Sequence, residues 1–310
     1  MSVTLIAHPA CLDHDTGPNH PERPARFTAV TAALEATEFQ PLLREQPEEA
    51  SVEALCAVHH VDYVDHILSL APAPGTRIHL DADTIVSARS VRVARLGAGA
   101  AIMGVDAVMQ GWARAAFAAM RPPGHHAEPD RAMGFCLFSN AAIAAVHGRQ
   151  TYGLRRVAVV DFDVHHGNGT QAFFEKDADL FYASSHQYPC YPGTGRASER
   201  GIAGNIANAP LPPGSGPDAF RAAWSNDLLP ALEQFRPELL IVSAGFDADY
   251  RDPLAQLNVT TPDFAWLTSK LVAIADKHCN GRIVSLLEGG YDLMALGEGV
   301  AAHVRALMHA

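Results

Sequence analysis

Cysteine is scarce in this chain of 310 residues: only Cys11, Cys56, Cys136, Cys190 and Cys279, with no pair at CxxC spacing. An odd, scattered set argues against a disulfide framework and for reduced thiols in a cytoplasm. No apolar run approaches the ~18–20 residues that cross a membrane. The start, MSVTLIAHPACLDHD, lacks the basic segment and the apolar length of a signal peptide. Basic residues are also in deficit. Lys and Arg number 23 against 34 Asp and Glu, a formal net charge of −11, so the basic groove of a nucleic-acid binder is not expected. Repeats, low-complexity tails and dividing linkers are missing as well, which favours one domain over 1–310.

What remains is the composition of a soluble enzyme, 48% hydrophobic and 18% charged, with sixteen histidines. Short apolar runs at 3–7, 114–120, 156–162, 179–185, 238–245 and 282–289 read as strands. Helical stretches lie between them at 87–111, 139–148, 218–235 and 261–281. Pro230 should kink the third, and the fourth has Thr261 as N-cap, Pro262 in its first turn and Gly281 past its end. Short strands apolar on both faces, alternating with helices, predict a three-layer α/β/α fold with a central, mostly parallel sheet. Proline and glycine collect at 186–218, which reads as a long functional loop.

Polar residues gather where apolar strands end. In RRVAVVDFDVHHGNGTQ (155–171), alternation puts Asp161, Asp163 and His165 on one side, at the end where open parallel sheets bind ligands. Carboxylate and imidazole together suit a borderline divalent metal, and about three protein ligands leave a position for water. A third ligand is available in LLIVSAGFDADYRDP, where Asp247 follows the apolar run and Asp249 and Asp252 stand nearby. In RPPGHHA the rigid Pro-Pro-Gly turn presents His125 and His126 side by side, a general base and its partner; Asp161 can orient one and Asn168 the other. Tyr291, behind Gly289 and Gly290, is either a core aromatic or a donor to an oxyanion. The set describes metal-assisted hydrolysis of a carbonyl compound.

These residues resemble the zinc-dependent histone deacetylase superfamily, with its bacterial deacetylase-like amidohydrolases and acetylpolyamine amidohydrolases. The likeness spans nearly the whole chain. HPERPARF, DADTIVS, RPPGHHA, GFCLFSN, DFDVHHGNGTQ, YPGTG, SAGFDA and LEGGYD occur in family order. The resemblance implies an arginase-like α/β fold and deacetylation of acyl-lysine. It puts the metal ligands on Asp163, His165 and Asp247, for Zn²⁺ with Fe²⁺ also accepted. It makes His126 the general base and acid, His125 its electrostatic partner held by Asp161, and Tyr291 the transition-state donor. It further implies structural K⁺ held by Asp161 and Ser184 side chains and by backbone oxygens of Asp163, His165 and Ser185. A second K⁺ site falls around Phe174, Asp177 and Leu180. Phe135 and Tyr191 would wall the acyl-lysine tunnel and the Gly134 carbonyl would accept the substrate N–H. Cys136 would lie beside the metal pocket as an inert thiol, Asn168 would support His126, and His166 would be structural.

Asn168 is similar to class II deacetylases, and tyrosine at 291 separates the chain from the weakly active class IIa members. Polyamine-selective eukaryotic relatives carry a glutamate where this chain has Leu254. No long insertion supplies the acidic dimer loop of bacterial polyamine enzymes, so an acyl-lysine peptide, protein or small acylated amine is the expected substrate. The alternatives are an acetylpolyamine or other small-amide deacetylase, a non-catalytic acyl-lysine binding module, and a two-metal ureohydrolase.

Overall fold

A computed structural model describes residues 2–309. Its strands are β1 (Val3–Ile6), β2 (Leu43–Glu45), β3 (Arg77–His79), β4 (Ile85–Ser87), β5 (Ala115–Ala118), β6 (Val157–Asp161), β7 (Leu180–Gln187), β8 (Ile206–Leu211), β9 (Leu239–Ala244) and β10 (Ile283–Leu287). The α-helices are α1 (Pro24–Ala33), α2 (Val52–Cys56), α3 (Val61–Ser69), α4 (Ser90–Met109), α5 (Asn140–Tyr152), α6 (Asn168–Phe174), α7 (Pro217–Ala223), α8 (Leu229–Phe235), α9 (Thr261–His278) and α10 (Leu293–Met308). Eight strands form one sheet in the order β2-β1-β5-β10-β9-β6-β7-β8, and every pairing in it is parallel. β3 and β4 make a separate antiparallel pair. Among the described residues no helix is long and apolar enough to cross a membrane.

The sheet is buried on both faces, which is why its strands read as continuous apolar runs. Along β6, Ala158 and Val160 join one core and Val157 and Val159 the other; β9 splits in the same way, with Leu240 and Val242 opposite Leu239 and Ile241. One core is closed by α1, α9, α10 and the α7–α8 region, the other by α4 and α5. The three-layer arrangement is therefore the one the alternation predicts.

Departures from the sequence reading have local causes. The expected kink at Pro230 takes the form of a π turn, Trp224–Leu228, between α7 and α8, because proline cannot continue the i→i−4 ladder. The 186–218 segment is not all loop, since it contains β8. That strand hides its character behind an asparagine and Pro210, which a sheet edge tolerates. β2, at the other edge, is the exposed tripeptide Leu-Arg-Glu and carries no apolar pattern.

The N-cap of α9 is Thr260, not Thr261. Thr260 and Asp263 form a reciprocal capping box, with the Thr260 N–H and hydroxyl both donating to Asp263 Oδ2, at 2.9 and 2.6 Å. Thr260→Ala should therefore cost about 0.5–2 kcal/mol in urea unfolding, and Thr261→Ala distinctly less. Equal losses would remove the cap from Thr260.

Candidate active site

Four neighbouring strands, β5, β10, β9 and β6, end on the same side of the sheet, and their carboxyl-end loops carry the polar clusters of the sequence. Parallel pairing brings those loops together although up to 170 residues separate them, the distance from Arg121 to Tyr291 (291 − 121).

After β6 and β9, Asp163, His165 and Asp247 converge, with one ligand atom from each lying within 4.8 Å of the others. His165 Nδ1 is 3.1 Å from Asp163 Oδ1 and 3.2 Å from Asp247 Oδ2. Backbone amides hold both carboxylates. The Gly289 N–H donates to Asp163 Oδ2 at 2.8 Å and the Val164 N–H to Asp247 Oδ1 at 2.9 Å. Asp247 Oδ2 is buried without a hydrogen-bond partner, a costly state that a cation relieves. Glycines make the room: a Cβ at Gly245 would strike Asp163, and one at Gly289 would strike both carboxylates. Two carboxylates, one with an orphaned oxygen, and an imidazole fit a divalent metal. Of the alternatives weighed in the sequence, Asp249 is tied to Arg251 and Asp252 holds backbone.

The tandem histidines are buried and differ in their partners. His125 Nδ1 meets Asp161 Oδ2 at 3.0 Å, and its Nε2 lies 3.8 Å from Asp163. Burial presses its pKa down, but Asp163, Asp161 and Glu288 outweigh that and raise it to about 10. His126 Nδ1 pairs with Asn168 Oδ1 at 2.8 Å. Asn168 is oriented by its Nδ2, which donates to Glu128 Oε1 at 2.7 Å, so its oxygen faces the histidine. His126 therefore carries its proton on Nδ1 and leaves Nε2 as a base. Burial, then the charges of His125 and His165, keep its pKa well below the usual range.

Asp161 also accepts from the Tyr182 hydroxyl at 3.0 Å, and it stands in register with Ser184 on β7. Ser184 Oγ pairs with His186 Nδ1 at 2.8 Å, and Ser185 Oγ accepts from Trp224 Nε1 at 3.0 Å. Both nitrogens of His166 are engaged, with Thr194 and Gln171, in keeping with a structural part.

Tyr291 is buried, and its ring packs edge-on to Phe135. Residues that the sequence reading gave no such part fix its turn. Arg26 donates from Nε to the Gly290 carbonyl at 2.6 Å and also reaches the Glu288 carbonyl, with its guanidinium 4.9 Å from the tyrosine ring centre. Glu22 joins Arg26 to Arg121 in a fully buried group. Asp252 accepts from the backbone N–H groups of Tyr291 and Leu254, at 2.7 and 3.0 Å. Glu288 does the same for Gly124 and His125, at 2.7 and 3.2 Å. Burial first, then nearby carboxylates, raise both acids to about 7. The i,i+4 spacing of Glu22 and Arg26 in HPERPARF was the available signal for the buried pair.

A cavity of about 340 Å³ opens onto His126, His165 and Tyr291. Phe135, Tyr191, Gly134 and Leu254 line it, together with His20, Pro21, Ala82 and Asp83, which the sequence reading did not single out. Gly134 has φ +54, and a Cβ there would run into the His126 ring. Cys136 is buried, its thiol donates to the Gly134 carbonyl at 3.2 Å, and burial raises its pKa well above the ordinary thiol value. A wider cleft of about 670 Å³ beside β8 contains none of the ligands or tandem histidines.

Comparison with known proteins gives the same direction. The model of the histone deacetylase domain matches residues 20–307. An uncharacterised protein of Synechocystis is 42% identical over 99% of both chains. A histone deacetylase-like amidohydrolase of Pseudomonas aeruginosa is 40% identical over 92% of this chain and 74% of its own. The crystal structure titled HDA15 HD domain superposes with a TM-score of 0.91 at 34% identity, covering 99% of this chain and 88% of that one. With the parallel sheet and the convergent strand-end loops, these matches make the chain a member of the histone deacetylase family.

Proposed function

We propose that residues 1–310 form a single deacetylase catalytic domain that hydrolyses N-ε-acetyl-lysine or a related acyl-lysine amide. The observation that carries this reading is the buried, unpartnered Asp247 oxygen beside His165, in a cavity that also presents His126 and Tyr291. Asp163, His165 and Asp247 would hold Zn²⁺ or Fe²⁺, since the donor set accepts both. Such a cation supplies Lewis acidity to a carbonyl and makes water more acidic.

The chain's own groups do the remaining work. His126 Nε2 takes the proton of the attacking water and later delivers it to the leaving amine. Its Nδ1 keeps its own proton throughout, donated to the Asn168 oxygen, which keeps the reacting nitrogen in one role. His125, pinned by Asp161, stays cationic or shares its proton, and so steadies negative charge developing nearby. The Tyr291 hydroxyl donates to the developing oxyanion. Phe135 and Tyr191 would flank the aliphatic stem, and the Gly134 carbonyl has a lone pair left for the substrate N–H beside the Cys136 bond. Asp161 and Ser184, which stand in register on neighbouring strands, would with backbone oxygens of Asp163, His165 and Ser185 supply an all-oxygen set suited to structural K⁺.

Leu254 offers no charge to a second ammonium, which favours acyl-lysine over acetylpolyamine, although Asp83 gives the cavity one acid. Turnover of an acetyl-lysine peptide against N-acetylputrescine by metal-reconstituted protein tests the reading. We expect preference for the peptide, and a polyamine preference of orders of magnitude would reverse it.

Two variants separate the roles. Asp247→Ala should lose bound metal, by elemental analysis, and activity together. Tyr291→Phe should keep its metal while turnover falls roughly 10²–10³-fold, the usual loss for one oxyanion donor. Near-normal turnover in Tyr291→Phe would take the hydroxyl out of the mechanism.

A further inference from the structure

The second monovalent-cation site that the family resemblance implies, around Phe174, Asp177 and Leu180, does not fit the residues found there. The three backbone carbonyl oxygens, between the end of α6 and the start of β7, do converge on one point. That point is taken by the side-chain Nδ2 of Asn205, at 2.9 Å from Phe174 O, 3.0 Å from Asp177 O and 2.8 Å from Leu180 O. These are ordinary N–H···O lengths.

The amide cannot be turned over. Asn205 Oδ1 accepts the Ala203 N–H at 3.2 Å, so a flip would aim its oxygen at three carbonyl oxygens and its nitrogen at an N–H. Gly201, at φ +65, makes space for it, since a Cβ there would collide with Asn205 Oδ1. The backbone oxygen of Asn205 is committed too, accepting from Tyr182 N at 3.0 Å as β8 joins β7. Two amide hydrogens are shared among three oxygens, two of which also accept a backbone N–H: Phe174 O from Asp177 N and Asp177 O from Leu180 N, both at 3.1 Å. Asn205 is 3% exposed. A ring of carbonyls of the kind that replaces the hydration shell of K⁺ is thus filled by a neutral donor on the chain itself.

We propose that the Asn205 amide is a tethered substitute for that cation, so the Phe174–Asp177–Leu180 triad binds no monovalent ion and the α6–β7 turn closes without potassium. The assignment is independent of catalysis and of the oxygen set proposed at Asp161 and Ser184. Asn205 is the first asparagine of GNIANAPL, and β7–β8 pairing brings it over the turn.

Anomalous diffraction from crystals of the wild-type protein soaked with thallous ion tests it directly. We expect no peak inside the triad, and a peak there overturns the proposal. The complementary measurement is thermal unfolding of wild type and Asn205→Ala in potassium chloride and in choline chloride of equal ionic strength. Removing the amide should open the triad, so the variant should gain at least about 2–4 °C more from potassium than the wild type does. An equal response in the two proteins overturns the cation-substitute reading. If the variant does not fold, the wild-type diffraction decides alone. Neither readout involves turnover, so failure here is distinguishable from failure of the proposed deacetylation.

Discussion

The structure depends on holding two like charges side by side in a dry interior. Asp163 and Asp247 are both buried, and each would be expelled or neutralised if left to burial alone. The fold manages this by using one oxygen of each carboxylate as an acceptor for a backbone amide from another strand end. His165 lies against both, and Asp247 Oδ2 is left with this ion-pair contact and no aligned hydrogen bond. A site built this way would be completed by positive charge from outside the polypeptide.

The same logic extends outward by one layer. Glu288 and Asp252 are buried acids that do not line the cavity, yet their oxygens hold the turns on which His125 and Tyr291 stand. Arg26 ties the Tyr291 turn from its other side, and Glu22, itself held by Arg121, pairs with Arg26. Asn168 does for one imidazole nitrogen what the acids do for backbone, with Glu128 choosing which end of the amide faces inward. Position in this molecule is set largely by charges and amides one shell removed from the cavity.

The sheet was legible because strands buried on both faces cannot avoid apolar runs, as Val157–Asp161 and Leu239–Ala244 illustrate. Its two edges, β2 and β8, were not, since an edge strand needs no apolar pattern and β8 even includes Pro210. Within the site, the residues bunched at strand ends were readable as candidates, and the fold brings Asp163, His165 and Asp247 together. Arg26 and Glu288 were not assigned, because a buried charge that holds carbonyls or amides looks in sequence like any solvated charge. Asp252 stood among the possible ligands until its backbone partners separated it from Asp247. Asn205 was invisible for a similar reason: one asparagine in a proline- and glycine-rich stretch says nothing about which three carbonyls will surround it.

Gly245 and Gly289 contribute no ligand atom, yet they are where the carboxylates press closest to backbone. Their hydrogens define the volume in which Asp163 and Asp247 can lie, so the shape of the site is partly written by missing side chains. Grafting Asp163, His165 and Asp247 alone onto another parallel sheet would give the right atoms with nowhere to converge. For anyone redesigning this chain, the two smallest residues near the site leave the least freedom.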